Sequence, residues 1–224
     1  MSIFCVARNY APHAAEMRSE VPPAPVFFMK PPTALLSYGN GQPSPQHPQP
    51  LTFIYPPFSQ EVHHELELVV RLSAGGSHIP QAEAHNHFHE VTVGIDFTAR
   101  DLQATAKAKG LPWLLSKGFD GSALAGRFVP LSHAGGDINN LDLLLTKNGH
   151  PVQQGNTRDM LFSVDRLIAD LSRYITLAEG DLLYTGTPAG VGAVLPGDHL
   201  EGFLNGEQLF SASITNRQPL TANS

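Results

Sequence analysis

Short apolar runs broken by turn residues dominate this chain, and several of them alternate with the two-residue period of a β-strand. In VHHELELVVRL (62–72), Leu66, Leu68 and Val70 share one face, while Glu65 and Glu67 share the other, because successive strand side chains point to opposite sides. Residues 2–7 (SIFCVA) and the run VTVGIDF also read as strands. An extended, proline-rich stretch at 22–32 encloses the apolar run VFFMK. Towards the C-terminus, GDLLYTGTPAGVG and PGDHLEGFLNGEQLFSASI alternate apolar segments with turn signals, and Asn205-Gly206 predicts a hairpin turn. Helical patterns are few. Residues 12–18 open on Pro12, residues 101–109 stop at Gly110, and residues 159–174 carry Met160, Val164, Leu167, Ile168 and Leu171 at helical spacing behind the caps Asn156 and Thr157. That last stripe belongs to the core. Residues 39–57, crowded with Pro, Gln, Ser and Gly, predict a loop. The sum is a β-rich α+β chain.

The strand pattern aims the Glu65 and Glu67 carboxylates at one spot, and Asp96 ends another apolar stretch about thirty residues on. Three convergent carboxylates with no nearby cysteine suit a hard, oxygen-seeking cation such as Mg2+ or Mn2+. A solvated strand edge that happens to carry two glutamates is the alternative reading of the pair. His13 and Glu16, three apart, share a face if their segment is helical. His85, His87 and His89 alternate as in a zinc-type cluster, but clustered imidazoles on a polar stretch are more often solvated. Gly186, Gly190 and Gly192 in GTPAGVG look like a phosphate loop, yet the Lys and Ser/Thr of a P-loop and the long helix of a dinucleotide site are missing. A tight loop whose N–H groups and Thr185 or Thr187 hydroxyl hold a small carboxylate fits better. There is no GxSxG elbow for a serine nucleophile.

Composition narrows the partners. The chain has 224 residues, enough for a sizeable core in one domain, residues 1–224, with residues 1–20 as an N-terminal strand and lid-like helix. Fourteen Lys plus Arg face twenty Asp plus Glu, for a net charge of -6, and no basic stripe interleaved with aromatics points to nucleic acid. No apolar run approaches the roughly 18 residues of a membrane span, and the N-terminus lacks a secretory pattern, so a cytoplasmic, non-membrane protein is expected. Cys5, the sole cysteine, excludes an internal disulfide and reads as a small buried hydrophobe beside Ile3, Phe4 and Val6.

The ordered set RNYAPHAAEM, PVFFMKPPTAL, VHHELELVVRL, GIDFTARDLQ, GLPWLLSKGFDGSALAGRFVP and GDLLYTGTPAGVG resembles the fumarylacetoacetate hydrolase family over nearly the whole chain, and within it the short acylpyruvate hydrolase and oxaloacetate decarboxylase branch. The resemblance implies the mixed β-sandwich roll of that family's C-terminal domain, a homodimer, and one Mg2+ or Mn2+ held at Glu65, Glu67 and Asp96. It implies His13 and Glu16 as a water-activating dyad and Lys117 as a substrate-facing lysine. Arg8, Tyr10, Arg100, Gln103 and Thr187 are implied as substrate-binding. The Pro- and Gln-rich 39–57 stretch and the histidine-rich AHNHFHEV depart from the expected pattern.

The chemistry also follows from first principles. A 2-oxo acid offers a carboxylate and an adjacent carbonyl oxygen to one open-sided cation. A base-activated water can then attack the distal carbonyl of an acylpyruvate and expel pyruvate as its enolate; loss of carbon dioxide from oxaloacetate gives the same enolate without water. The expected substrate is therefore a small 2-oxo or 2,4-dioxo acid. Acylpyruvate hydrolysis comes first, oxaloacetate decarboxylation or tautomerisation second, and silent organic-acid binding third.

Overall fold

The computed structural model describes residues 1–16, 21–38 and 49–216. Its largest sheet runs, in order, Val26–Lys30, Ile3–Ala7, Leu182–Tyr184, Leu66–Leu72, Phe88–Asp96, Ala123–Ala125 and Leu35–Ser37, with Val129–Pro130 paired to Phe88–Asp96. Pairings are mixed: Ile3–Ala7 lies parallel to Leu182–Tyr184, and Leu66–Leu72 lies antiparallel to Phe88–Asp96. A five-stranded sheet (His150–Asn156, Asp142–Lys147, His199–Leu204, Glu207–Asn216, Leu51–Tyr55) packs on it, and a three-stranded one joins Gly192–Val194, Val62–His64 and Thr98–Ala99. Most strands and few, short helices give the expected β-rich sandwich roll.

Strand Leu66–Leu72 shows why the sequence pattern mattered. Leu66, Leu68, Val70 and Leu72 enter the main core with Val91, Val93, Leu143, Leu145 and Phe210. Val69, on the other face with Glu67, joins Ile3, Cys5, Leu182 and Tyr184 in a second cluster. The sheet is thus covered on both faces, and the glutamates are enclosed rather than set on a wet surface.

Three local expectations change. Within 39–57, residues 39–48 lie outside the described residues, but Leu51–Tyr55 is a strand and not a loop. It buries Leu51 and Phe53, exposes Thr52 and Ile54, and pairs in parallel with Glu207–Asn216; the loop composition just before it obscured a clear period of two. The helix expected at 159–174 is Val164–Ser172, capped by Ser163, while Asn156 caps only the short turn Thr157–Asp159. The first helix spans Ala11–Glu16, and residues 17 and 18 of the expected 12–18 segment lie outside the described residues. The hairpin at Asn205-Gly206 forms with both residues at positive φ, and a second Asn-Gly pair, Asn148-Gly149, makes the equivalent turn between Asp142–Lys147 and His150–Asn156.

One buried side chain fixes the segment that leads into the first helix. Asn9 is fully buried; its amide donates to the carbonyls of Phe162 (3.0 Å) and Thr185 (2.8 Å), and its Oδ1 accepts from the Phe162 N–H (2.8 Å). Replacing it strands those three backbone groups, at about 1–3 kcal/mol for a buried unpaired group. We expect Asn9→Ala to lose about 3 kcal/mol and to lower the thermal midpoint by roughly 6–12 °C. A calorimetric shift below about 2 °C would contradict this role.

Candidate active site

The strands meet in a cavity of about 250 Å³. Glu65 precedes the strand Leu66–Leu72, Glu67 is its second residue, and Asp96 ends the neighbouring strand, its N–H donating to the Glu65 carbonyl at 2.9 Å. Antiparallel register places Glu67 opposite Gly94, so the three carboxylates converge: one oxygen from each lies within 4.8 Å of the others. All three are buried and all line the cavity. The next residue, Phe97, stacks on Phe53 with ring centroids 3.9 Å apart, which pins the strand end that carries Asp96.

Buried cations hold this cluster together. Lys117, at the end of helix Leu114–Lys117, donates to Glu65 Oε2 (2.8 Å) and Asp96 Oδ2 (2.6 Å). Arg100 donates to Glu65 Oε1 (2.6 Å) and to Gln103 Oε1 (2.6 Å). Burial alone would raise the Glu65 pKa, but Lys117 and Arg100 outweigh it and hold the carboxyl well below the usual range. Burial would likewise lower the Lys117 pKa, yet Asp96 and Glu65 keep it above the ordinary lysine value. Glu67 goes the other way. Burial, then Asp96 and Glu65, push its pKa well up, and the Gly186 N–H, donating at 2.7 Å, offsets only part of this.

The arrangement fits a hard divalent cation. The donor set is all oxygen, and the repulsion from Asp96 and Glu65 that raises the Glu67 pKa is what a bound cation would relieve. The buried Lys30 ammonium pairs with Asp96 Oδ1 at 2.7 Å and also contacts the carbonyls of Phe97, Lys117 and Ser122 and Ser122 Oγ.

Around the triad stand the other expected residues. His13 is buried and lines the cavity, and its Nδ1 lies 3.3 Å from Glu16 Oε2. Glu16 does not itself line the cavity; it accepts from the Gly190 N–H (3.2 Å), tying helix Ala11–Glu16 to the glycine-rich loop. Arg8, Arg100, Gln103, Lys117 and Thr187 line the cavity. Tyr10 does not: it is buried and bridges to Met160, and its hydroxyl has no hydrogen-bond partner among the described residues. The histidines at 85, 87 and 89 are not gathered into a ligand group among the described residues. His85 and His87 end the turn Gln81–His87, His87 Nδ1 meets the Ala74 carbonyl at 3.2 Å, and among the described residues the carboxylate triad is the sole metal-suited cluster. Cys5 is fully buried and burial raises its thiol pKa, as expected for a structural residue.

Two residues went unnoticed in the sequence. Lys30, the charged end of VFFMK, carried a weak signal, since a lysine closing a buried strand requires partners. Gln153 carried none. Its Oε1 accepts from the Leu66 N–H (2.9 Å) and contacts His64 Nδ1 (2.8 Å), which turns its amide NH2 toward Thr187 Oγ1 (2.9 Å) and the Pro188 carbonyl (3.1 Å). Thr187 Oγ1 therefore accepts from Gln153, while its own hydroxyl donates to the Pro188 carbonyl over a long 3.4 Å, a contact that a ligand oxygen can replace.

Known proteins resemble this chain over most of its length. The fumarylacetoacetate (FAA) hydrolase C-terminal model matches residues 2–218. Oxaloacetate tautomerase FAHD1, mitochondrial, of Rattus norvegicus is 42% identical over 205 residues, covering 92% of this chain and 87% of the relative. Oxaloacetate decarboxylase, mitochondrial, of Dictyostelium discoideum is 39% identical over 204 residues, covering 91% and 88%. The crystal structure of fumarylpyruvate hydrolase from Pseudomonas aeruginosa in complex with Mn2+ and pyruvate superposes with a TM-score of 0.87 at 35% identity, covering 97% of this chain and 90% of that one. With the family model spanning nearly the whole chain, and relatives of about 40% identity covering most of it, the chain belongs to the fumarylacetoacetate hydrolase family.

Proposed function

We propose that this enzyme uses a divalent cation at Glu65, Glu67 and Asp96 to hydrolyse the C–C bond of acylpyruvates, giving pyruvate and a carboxylic acid. The observation that carries the reading is that His13, paired with Glu16 behind it, lines one cavity with an oxygen-only cation site. The related fumarylpyruvate hydrolase with Mn2+ and pyruvate supports it. Oxaloacetate decarboxylation or keto–enol tautomerisation at the same site is the second reading, favoured by the names of the rat and Dictyostelium relatives.

A bound Mg2+ or Mn2+ would supply positive charge to the carboxylate and 2-oxo oxygen of the substrate. The protein supplies the rest. Arg100 and Lys117 keep Glu65 ionised, and the Gly186 N–H orients Glu67. The Thr187 hydroxyl, which donates to the Pro188 carbonyl over a long 3.4 Å, can turn to the substrate carboxylate. His13, with Nδ1 held by Glu16, presents Nε2 to a water, takes its proton, and leaves the oxygen to attack the distal carbonyl carbon. The bond between that carbon and C3 breaks, its electron pair passes to C3, and protonation there completes pyruvate. The ammonium of Lys117 faces the negative charge that develops on oxygen, a contact whose loss typically costs about 10²- to 10³-fold in rate.

Glu65→Ala, Glu67→Ala and Asp96→Ala should each remove most activity while leaving a folded protein. Calorimetric titration with Mn2+ checks the assignment: single variants that bind the ion as tightly as the parent would remove these residues from its coordination.

Water is a reactant in hydrolysis and not in decarboxylation. His13→Ala or Glu16→Gln should therefore slow acylpyruvate hydrolysis by about 10²-fold or more and oxaloacetate decarboxylation far less, whereas Lys117→Met should harm both. The measurement is a side-by-side assay of the two reactions at saturating Mg2+. A His13→Ala enzyme that hydrolyses acylpyruvates near the parental rate contradicts the proposed mechanism.

A further inference from the structure

Helix Arg100–Lys109 places Arg100, Gln103 and Lys107 at i, i+3 and i+7, on one face, and all three line the cavity. The first two are engaged with each other, and Arg100 also pairs with Glu65. Lys107 differs: among the described residues it makes no ion pair. Its ammonium lies 5.6 Å from the centroid of Trp113. Trp113 meets Phe28 edge-on with centroids 5.9 Å apart, and Phe28 lies 5.3 Å from the Lys117 ammonium. All four residues line the same cavity. They form a wall of two aromatic rings with a cation at each end, one at the carboxylate triad and one at the rim.

Charge points the same way. Three cationic side chains, Arg100, Lys107 and Lys117, face three carboxylates across the cavity, and a divalent ion would add two more positive charges. A monoanionic acid leaves part of that excess unmatched. Burial and the neighbouring Arg100 hold the Lys107 pKa below the usual lysine range, the direction expected of an ammonium already crowded by cations.

We propose that Lys107 is a specificity-determining residue that receives a second, distal carboxylate, so that the preferred acylpyruvate has an acyl group ending in a carboxylate, its carbon chain lying along Phe28 and Trp113. This rests on the acylpyruvate reading above. Fumarylpyruvate is a substrate of this form, and acetylpyruvate lacks the distal charge.

Two measurements test it on the whole protein. In steady-state assays, the kcat/KM ratio for fumarylpyruvate over acetylpyruvate should fall about tenfold in Lys107→Met, mainly through the KM of fumarylpyruvate; it should fall further in Lys107→Glu and be largely restored in Lys107→Arg. In calorimetric titrations of the Mn2+-loaded protein, 2-oxoadipate and 2-oxohexanoate share a chain length and differ in the terminal carboxylate. The parent should bind the first about tenfold more tightly, and Lys107→Met should abolish that preference. A parent with no preference, or a Lys107→Met protein that retains it, overturns the proposal. Should the parent hydrolyse no acylpyruvate, the proposed reaction fails, and the titrations still decide the role of Lys107.

Discussion

The arrangement of the site depends on one electrostatic constraint, the burial of three carboxylates whose oxygens lie within 4.8 Å of one another. Desolvating an ion costs several kcal/mol even after relaxation, and like charges at this range add to the cost. The fold meets it with Lys117 and Arg100 on Glu65, Lys117 and Lys30 on Asp96, and the Gly186 N–H on Glu67. Each partner comes from a different part of the chain: strand Val26–Lys30, helices Arg100–Lys109 and Leu114–Lys117, and the glycine-rich loop. Closing the charge cluster therefore assembles the cavity. Glu67 is the least compensated member, which is the condition under which a divalent cation gains most.

The same elements set the chemistry. Gln153 donates to Thr187 Oγ1 and fixes that side chain, and Glu16 joins His13 to the loop that bears Thr187. Asn9, bonded to residues 162 and 185, steers the chain between strand Ile3–Ala7 and helix Ala11–Glu16, and a Cβ at Gly186 would lie only 2.7 Å from the Asn9 Cβ. The proposed base, cation site and carboxylate donor are thus referenced to one backbone frame, as positioned catalysis requires.

Much of this was legible in the sequence because it rests on local periodicity. The alternation in ELEL separates carboxylates from core leucines whatever else the chain does, and Gly110 stops its helix in the left-handed conformation, its N–H returned to Ala106 and Lys107. What was not legible depends on partners distant in sequence. Lys30 has meaning only once residues 96, 117 and 122 fold around it, and Gln153 only when residues 64, 66 and 187 reach it. Strand Leu51–Tyr55 was hidden by the loop-like residues before it, since its pairing partner lies at the other end of the chain. Tyr10, implied as substrate-binding, faces a buried setting outside the cavity, a placement set by its bridge to Met160. The resemblance supplied the roles that spacing alone left open, the His13–Glu16 pair above all.

The central claim is that the three buried carboxylates bind a divalent cation at the chemical centre of the cavity. Anomalous diffraction from crystals of the parent protein grown with Mn2+ reads this without reference to turnover. The account predicts one peak per chain among Glu65, Glu67 and Asp96, at roughly 2.0–2.3 Å from an oxygen of each, as for a small hard cation. A triad without a peak while Mn2+ sits elsewhere, for instance at His85, His87 or His89, would contradict it.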